Sequence, residues 1–156
     1  MEPETKILDR TKKQRITEML GHYGIERLDY LVIRTSRKTR MFSGIISKEE
    51  IISWLKSISI DNMGLYLASV DEPEIRLSID AAHLLSGQIS RNIVEISDEQ
   101  AEKWFHGEEI EVNEKQNGAE DGFVIIKNQG DIIGVGKMTK TRVLNYLPKE
   151  RRIKGR

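Results

Sequence analysis

Residues 122–137 read GFVIIKNQGDIIGVGK and predict two paired strands around a tight turn. The apolar run 123–127 is typical of a buried strand, and the polar residues 128–130 mark a turn. In the strand that follows, Gly134 and Gly136 alternate with apolar residues, so one face of the strand carries no side chains. A second backbone or a ligand can approach such a face closely.

The residues on either side of this strand pair predict a small unit with a single helix. Ser97 and Gln100 form the pattern of a capping box for a helix over residues 98–105, which His106 and Gly107 end. Further strands are predicted at residues 92–96 and 109–112, and a polar hairpin loop at 113–121. Short strands with one capped helix and a basic tail indicate a small, partly closed β-barrel, a class that binds nucleic acid on its rim.

The first half of the chain predicts a mixed unit of helices and strands. A helix over residues 10–24 has an apolar stripe at helical spacing, and a second helix after Ser47 begins with a capping box completed by Glu50. Strands are predicted at residues 30–33, 41–46, 63–69 and 75–79, with a basic turn at 34–40 and a short helix at 80–85. This order of elements indicates an α+β fold.

Three aromatic residues bear on the choice between core and binding surface. Trp54 and Trp104 lie on the apolar sides of their helices, so we expect both to be buried. Tyr146 lies in a basic segment, where its ring either stacks on a base or joins its leucine and valine neighbours in a small core. The second helix should bury Trp54 together with Ile51, Ile52, Leu55 and Ile58.

Charge is distributed unevenly along the chain although the formal net charge is zero. Residues 95–122 contain ten acidic and two basic residues, and residues 137–156 contain eight basic residues against Glu150 alone. Such asymmetry predicts a surface that faces a polyanion and is held apart from an acidic face. A solvated terminal tail is the alternative interpretation of the basic end, which includes Arg156.

The order of elements in the second half resembles a PUA domain, the RNA-binding fold of pseudouridine synthases and archaeosine transglycosylases. The continuation 143–152, VLNYLPKERR, is similar to the PUA-like C-terminal ends of ribosomal-RNA cytosine methyltransferases. The first half, ending in RLSI at 76–79, resembles the pre-PUA domain of small archaeal and eukaryotic ribosome-biogenesis factors. The resemblance implies an N-terminal mixed α/β pre-PUA-like domain over residues 1–88. It also implies a PUA-type pseudo-barrel of mostly antiparallel strands over residues 89–156.

In such families, structured RNA binds at the glycine turn after the helix, at the neighbouring strands and at the basic C-terminal segment. Three further candidates come from the residues themselves: Gly134 and Gly136 of the glycine strand, and Tyr146. The candidate RNA-binding residues are therefore His106, Gly107, Gly134, Gly136, Lys137, Lys140, Arg142, Tyr146, Lys149, Arg151 and Arg152. Glu108, Glu109 and Glu111 depart from this pattern, because acid after the glycine turn would repel a phosphate.

No catalytic, cofactor or metal motif accompanies these residues. Around Lys137, a phosphate-binding loop would need glycine at Asp131 and a hydroxyl residue at Met138. The three histidines have no partners at metal-ligand spacing, and the chain has no cysteines for disulfides or thiolate metal sites. We therefore expect a protein that is not an enzyme and carries no cofactor or metal.

The predicted function is non-catalytic binding of structured RNA, either rRNA or tRNA, in ribosome biogenesis or RNA modification. Ribosome-assembly or RNA-modification proteins are its expected partners. A cytoplasmic location without membrane contact is expected, because no apolar run approaches the roughly 20 residues of a membrane span and no signal peptide is evident. The alternative is a protein-interaction adaptor that uses the acidic face. A basic face shared by the N-terminal helix, the 34–40 turn and the tail would favour RNA.

Overall fold

The computed structural model of the protein describes residues 4–58, 60, 62–113, 116 and 119–155. These residues build two five-stranded sheets with helices, which confirms the predicted α+β class. Predictions for Arg156 and for positions 114, 115, 117 and 118 of the 113–121 loop fall outside the described residues. No helix in these ranges combines the length and hydrophobicity needed to cross a bilayer.

The first sheet is an antiparallel meander whose five strands lie side by side in chain order. The strands are β1 (Thr5–Ile7), β2 (Leu31–Thr35), β3 (Lys38–Phe42), β4 (Leu65–Asp71) and β5 (Glu74–Leu77). In β5, the buried Ile75 and Leu77 alternate with the half-buried Glu74 and Arg76. This alternation places one face of the strand on the core and leaves polar groups on the other.

Three helices accompany this sheet: α1 (Arg10–Leu20), α2 (Lys48–Ser57) and α3 (Ile79–Leu84). Each begins at a side chain that accepts a hydrogen bond from a backbone N–H of the first turn, namely Asp9, Ser47 or Ser78. The predicted capping box of Ser47 and Glu50 is confirmed. The predicted helix over 10–24 corresponds to α1 and the 3-10 turn that extends it to Tyr23.

The predicted basic turn over residues 34–40 is wrong. Strands β2 and β3 pair directly from Thr35↔Lys38 onward, so the turn consists of Ser36 and Arg37 alone. Ser36 adopts a left-handed conformation with φ of 56°, which makes this tight reversal possible. Most of the basic side chains of the segment therefore belong to strands and not to a loop.

The predicted burial of the α2 side chains is wrong for Trp54 and Ile58, which are 40% and 58% exposed. Only Ile51 of this helix is fully buried. The reason is the position of α2, whose main contact with the sheet is with the edge strand β1. The sequence analysis predicts no strand at β1, so the position of α2 beside this edge strand does not follow from the sequence pattern.

The second sheet has the strand order β6-β8-β9-β10-β7 and curls into a half-barrel. Its strands are β6 (Ile93–Glu95), β7 (Ile110–Glu111), β8 (Gly122–Asn128), β9 (Asp131–Met138) and β10 (Arg142–Asn145). Among the described strands of this sheet, β6 and β8 form the one parallel pair. Helix α4 (Asp98–Phe105) starts at the predicted capping box of Ser97 and Gln100 and places Trp104 fully inside the barrel core. The tail continues into a short 3-10 helix, Lys149–Arg151.

One hydrophobic core crosses between the two sheets. Ile125, Ile132 and Val135 of the second sheet pack in the same buried cluster as Tyr23 and the apolar residues of the first sheet. The two sheets share no strand. The domain boundary between residues 88 and 89 stays a prediction. Burial of apolar surface between the halves favours one fixed arrangement of the two.

Polar contacts fix the same junction. Nε2 of His22 lies 2.7 Å from the backbone oxygen of Phe123, and Asn92 donates to the backbone oxygen of His22 at 2.6 Å. Lys137 forms an ion pair with Glu74, with 2.9 Å between Nζ and Oε2. Each contact joins one half of the chain to the other, so surfaces from both halves can form a single site.

Candidate nucleic-acid interface

The structure places Lys137 at the junction of the two halves and not on an open binding surface. Its ammonium group contacts Glu74 and lies 5.1 Å from the centroid of the Phe123 ring. The hydrogen bond that Lys137 donates to the carboxylate of Glu74 raises the pKa of Lys137. This lysine is already satisfied by a carboxylate and an aromatic face.

Arg142 faces the acidic residues that follow the glycine turn. Its guanidinium lies 3.5 Å from Glu109 and 3.1 Å from Glu111, and all three side chains are at least half exposed. These ion pairs neutralise part of the negative charge of the glutamates that follow His106 and Gly107. Lys140 is exposed in the turn between β9 and β10.

The glycine turn after α4 is covered by the C-terminal tail. Gly107 has φ of 87°, and a Cβ atom there would come within 2.8 Å of Cδ of Arg152. Arg152 donates from Nε to the backbone oxygen of Leu147 at 3.0 Å, and Ile153 donates to the backbone oxygen of Phe105 at 2.8 Å. The close approach at Gly107 is therefore made by Arg152 within the chain, while His106 stays exposed.

Trp104 occupies the glycine face of β9. A Cβ atom at Gly134 would lie 2.5 Å from Nε1 of Trp104, and one at Gly136 would lie 2.4 Å from Cγ1 of Val143. The expectation that this face is open to RNA is corrected, because the indole and Val143 need the missing side-chain volume. Both glycines are buried.

Tyr146 shows features of both interpretations that the sequence left open. Its ring packs edge-on against Phe123, with 5.3 Å between centroids, and Leu147 beside it is buried. The ring is nevertheless 36% exposed, and the guanidinium of Arg76 stacks on it at 4.9 Å from the centroid. Tyr146 is thus anchored on one edge and accessible on another.

A groove of about 370 Å³ opens between the two halves beside this tyrosine. We call it the central groove. Its lining includes Tyr66, Arg76 and Leu77 from the first sheet and Tyr146, Leu147 and Arg151 from the tail. Arg151 forms an ion pair with Asp80 of α3, with 2.6 Å between Nη2 and Oδ1.

Sequence reasoning missed Tyr66 and Arg76, the two groove residues of the first sheet. Tyr66 also makes a cation–π contact, because the guanidinium of Arg40 lies 5.9 Å from its ring centroid. Tyr66 belongs to no motif, Arg76 stands out in the sequence only as the first residue of the segment 76–79, and the contact between Arg76 and Tyr146 joins distant parts of the chain. Only an alternating polar position in a strand could have marked them.

Three basic residues of the N-terminal half border a different concavity. Lys6, Lys12 and Arg34 border a space of about 440 Å³ that shares no lining residue with the central groove. Arg15 pairs with Glu72, and Arg37 pairs with Asp71. These N-terminal basic residues and those of the C-terminal tail therefore do not line the same concavity.

Lys149 is the least constrained of the basic residues that are predicted to bind RNA. It is exposed in the 3-10 helix of the tail and forms no ion pair among the residues that the structure describes. The same part of the chain contains no group of three or more His, Cys, Asp or Glu side chains that could hold a metal ion.

Comparison with known proteins finds a family model that matches the second half. Residues 91–153 match the family model of the methyltransferase RsmF PUA domain. Ribosomal RNA small subunit methyltransferase F of Vibrio cholerae serotype O1 (strain M66-2) is 33% identical over 96 residues, which are 62% of this chain and 20% of that protein. The methyltransferase F of Vibrio atlanticus is 34% identical over 88 residues, or 56% and 18%. The chain thus spans about a fifth of the length of these relatives.

A solved structure of a conserved PUA domain protein from Thermoplasma acidophilum covers both halves. It matches 94% of this chain and 95% of its own length with a TM-score of 0.60 at 14% sequence identity. The likeness shows that the arrangement of the two sheets is a known fold. Residues 91–153 thus match a PUA domain in sequence, and the two sheets together have the fold of a solved PUA domain protein.

Proposed function

We propose that the protein is a non-catalytic RNA-binding factor that acts on structured RNA, either rRNA or tRNA, in ribosome biogenesis or RNA modification. The observation that carries this proposal is the match of residues 91–153 to the PUA domain of a methyltransferase family. The curated relatives are named as ribosomal RNA small subunit methyltransferases. A shared PUA domain favours RNA as the ligand of this chain as well.

The charged rim of the second half supports binding to phosphates. Lys149 is exposed, and the ion pairs of Arg142 and Arg151 are about half exposed to solvent. Exposed ion pairs contribute only about 0–1 kcal/mol, so a phosphate can exchange for the carboxylate at small cost. These three cations are the main phosphate-binding candidates.

The non-catalytic part of the proposal rests on the extent of the similarity. The match to the methyltransferases lies within one domain, which makes up about a fifth of their length. In this chain, His22 is engaged with the backbone of Phe123 and with Asn92, while His83 and His106 lie at helix ends. We propose that the protein works without a cofactor, in the cytoplasm, beside ribosome-assembly or RNA-modification proteins.

Crosslinking the protein to cellular RNA and sequencing the attached fragments tests this proposal. We expect enrichment of rRNA or tRNA fragments with secondary structure over total RNA. In a titration of a recovered fragment, neutralising about four to six phosphates should give a log–log salt slope of about −3 to −5. Absence of enriched RNA, or a flat salt series, would contradict the proposal.

A protein-interaction role is the second candidate, and the exposed apolar side chains of α2 favour it. Trp54 and Ile58 are 40% and 58% exposed, and Ile45 before the helix is fully exposed. Large apolar groups in solvent are more typical of a protein-binding surface than of an RNA-binding one. If Trp54→Ser and Ile58→Ser together abolish binding of a co-purified protein while RNA crosslinking is unchanged, the exposed apolar side chains of α2 bind a protein partner.

A further inference from the structure

We propose that the central groove holds one unpaired nucleobase of the bound RNA between Tyr66 and Tyr146. The inference rests on the proposed function and specifies which part of the RNA enters the chain. Tyr66 comes from β4 of the first sheet, and Tyr146 follows β10 of the second. Both side chains border the same groove, so two aromatic rings from different halves face one space. Stacking on aromatic rings is the general way in which proteins hold bases outside a helix.

The groove has the size and floor of a small-ligand site. Its volume of about 370 Å³ lies in the lower part of the range of roughly 300–1,000 Å³ that is usual for small-molecule sites. Leu77, Val135 and Leu147 are buried and line it, and Pro148 adds a further apolar surface. An apolar floor between aromatic rings suits a flat ligand with polar edges.

Arg76 supplies unused hydrogen-bond donors in the groove. Its guanidinium stacks on Tyr146 at 4.9 Å from the ring centroid and is half-buried. Among the described residues, Arg76 has no ion pair or side-chain hydrogen bond, unlike Arg151 on the opposite rim. None of its nitrogens is among the buried unpaired atoms of the described residues, so they are open to water and free to donate to a ligand. The carbonyl oxygens and ring nitrogens of nucleobases can accept these hydrogen bonds.

The charge of the groove favours a base over a phosphate. Two cations, Arg76 and Arg151, are balanced by two carboxylates, Asp80 and Glu150. A track for phosphates needs an excess of positive charge, which this lining does not have. The phosphates on either side of the base would instead meet cations at the rim and outside the groove, namely Arg151, whose exposed ion pair with Asp80 can exchange, and Lys149 next to Glu150.

The walls of the groove are fixed before any ligand arrives. The pairs His22–Phe123 and Lys137–Glu74 join the two halves, and Ser78 at the groove donates to the backbone oxygen of Tyr66. A site that is formed in advance loses little conformational entropy on binding. The ring of Tyr66 contacts Arg40 and the ring of Tyr146 contacts Phe123, and these contacts favour fixed ring positions for stacking.

Fluorescence anisotropy with labelled oligo(U) and oligo(A), and with the duplex that the two strands form, tests the proposal. Tyr66→Ala, Tyr146→Ala and Arg76→Gln should each weaken binding of the single strands, the aromatic changes by about 5- to 150-fold. Binding of the duplex should change by less than about twofold, because its bases stay stacked. Tyr146→Phe should keep the single-strand affinity, and Trp54→Ala is the matched control for an exposed aromatic ring outside the groove.

Three outcomes overturn the proposal in distinguishable ways. If the protein binds no RNA at all, the proposed function and the groove inference fail together. If it binds RNA and the groove variants bind single strands as tightly as the wild type, the groove inference alone fails. If free mononucleotides bind as tightly as the oligomers, the groove takes a soluble nucleotide and not an RNA base.

Photocrosslinking of the unaltered protein to oligonucleotides that contain 4-thiouridine gives an answer that does not depend on the folding of variants. The proposal expects the crosslinked peptides to contain Tyr66 or Tyr146. Crosslinks confined to His106 and Lys149, outside the groove, would overturn it.

Discussion

The indole of Trp104 lies so close to Gly134 that a Cβ atom on that glycine would come within 2.5 Å of Nε1. The fit is tight because α4 holds Trp104 fully buried against β9. We predict that Gly134→Ala lowers the free energy of unfolding by about 1–3 kcal/mol, the usual cost of overpacking a core. Urea denaturation followed by circular dichroism measures it.

Gly87→Ala is the control, because a Cβ atom there meets nothing within 4 Å. That change should alter the free energy of unfolding by no more than about 0.5 kcal/mol. In a Trp104→Phe background, the cost of Gly134→Ala should shrink, since the smaller ring leaves room for the methyl group. An equal cost in both backgrounds would show that Trp104 is not the cause.

The two tryptophans should respond differently to replacement by alanine. Trp104 is fully buried, so Trp104→Ala should cost about 3–5 kcal/mol of stability. Trp54 is 40% exposed, so Trp54→Ala should cost clearly less. Nε1 of Trp104 is buried and has no hydrogen-bond partner among the described residues. Trp104→Phe removes that unpaired donor and should therefore be milder than Trp104→Ala.

Thermal melts of the three tryptophan variants under one buffer condition provide the comparison. Trp54→Ala serves as the matched control for loss of an indole. A melting temperature lowered equally by Trp54→Ala and Trp104→Ala would contradict the exposure of α2.

Local signals predicted the helices well and failed where burial depends on distant neighbours. The capping pairs Ser47–Glu50 and Ser97–Gln100 are both confirmed by reciprocal hydrogen bonds. Such signals act over one helical turn and can be found without knowing the fold. The apolar stripe of α2 is also visible in the sequence. The exposure of Trp54, however, depends on the position of the helix beside an edge strand. That position is a tertiary property.

The candidate site shows the same limit more strongly. The positive charge of the tail was visible, but its partners were not, because Lys137 meets Glu74 and Arg151 meets Asp80 across 63 and 71 residues of chain. Glycine alternation correctly indicated a close approach to β9, yet both a ligand and a core side chain produce that pattern. The structure shows that Trp104 makes the approach.

Replacing Arg152 or Lys149 by alanine should have different effects. The first change should lower stability, and the second should weaken RNA binding. Arg152→Ala removes the hydrogen bond to the backbone oxygen of Leu147 and the cover over Gly107. We expect it to lower the free energy of unfolding by about 1–3 kcal/mol, because a charged hydrogen bond at a half-buried site is lost. Lys149 is exposed, so Lys149→Ala should leave the melting temperature unchanged and reduce the RNA salt slope by about one unit.

Chemical denaturation and an anisotropy salt series on both variants check this pair. Arg27→Ala is a suitable control for the loss of an exposed cation elsewhere, since Arg27 pairs only with Asp29 at the surface. If Arg152→Ala melts like the wild type and weakens RNA binding, Arg152 contacts RNA and its role in covering the turn is minor.

Tyr23 should make the stability fall at high pH. Its hydroxyl is buried, donates to the backbone oxygen of Ile75 at 2.6 Å, and has a pKa raised above the ordinary value chiefly by burial. The unfolded chain releases the phenolic proton near pH 10, whereas the folded chain retains it. The stabilising contribution is therefore complete below about pH 10 and declines by about 1.4 kcal/mol for each further pH unit until the folded pKa is reached.

Tyr23→Phe isolates this contribution from other groups that titrate in the same range, among them Lys137, whose raised pKa acts in the same direction. At pH 7, the variant should be less stable by about 1–3 kcal/mol, because the buried carbonyl of Ile75 loses its donor. Phenylalanine releases no proton, so the deficit should shrink or reverse between pH 10 and pH 11.5. Urea midpoints of both proteins across this range provide the measurement. Parallel pH profiles would mean that the hydroxyl of Tyr23 ionises equally in both states, which its burial does not allow.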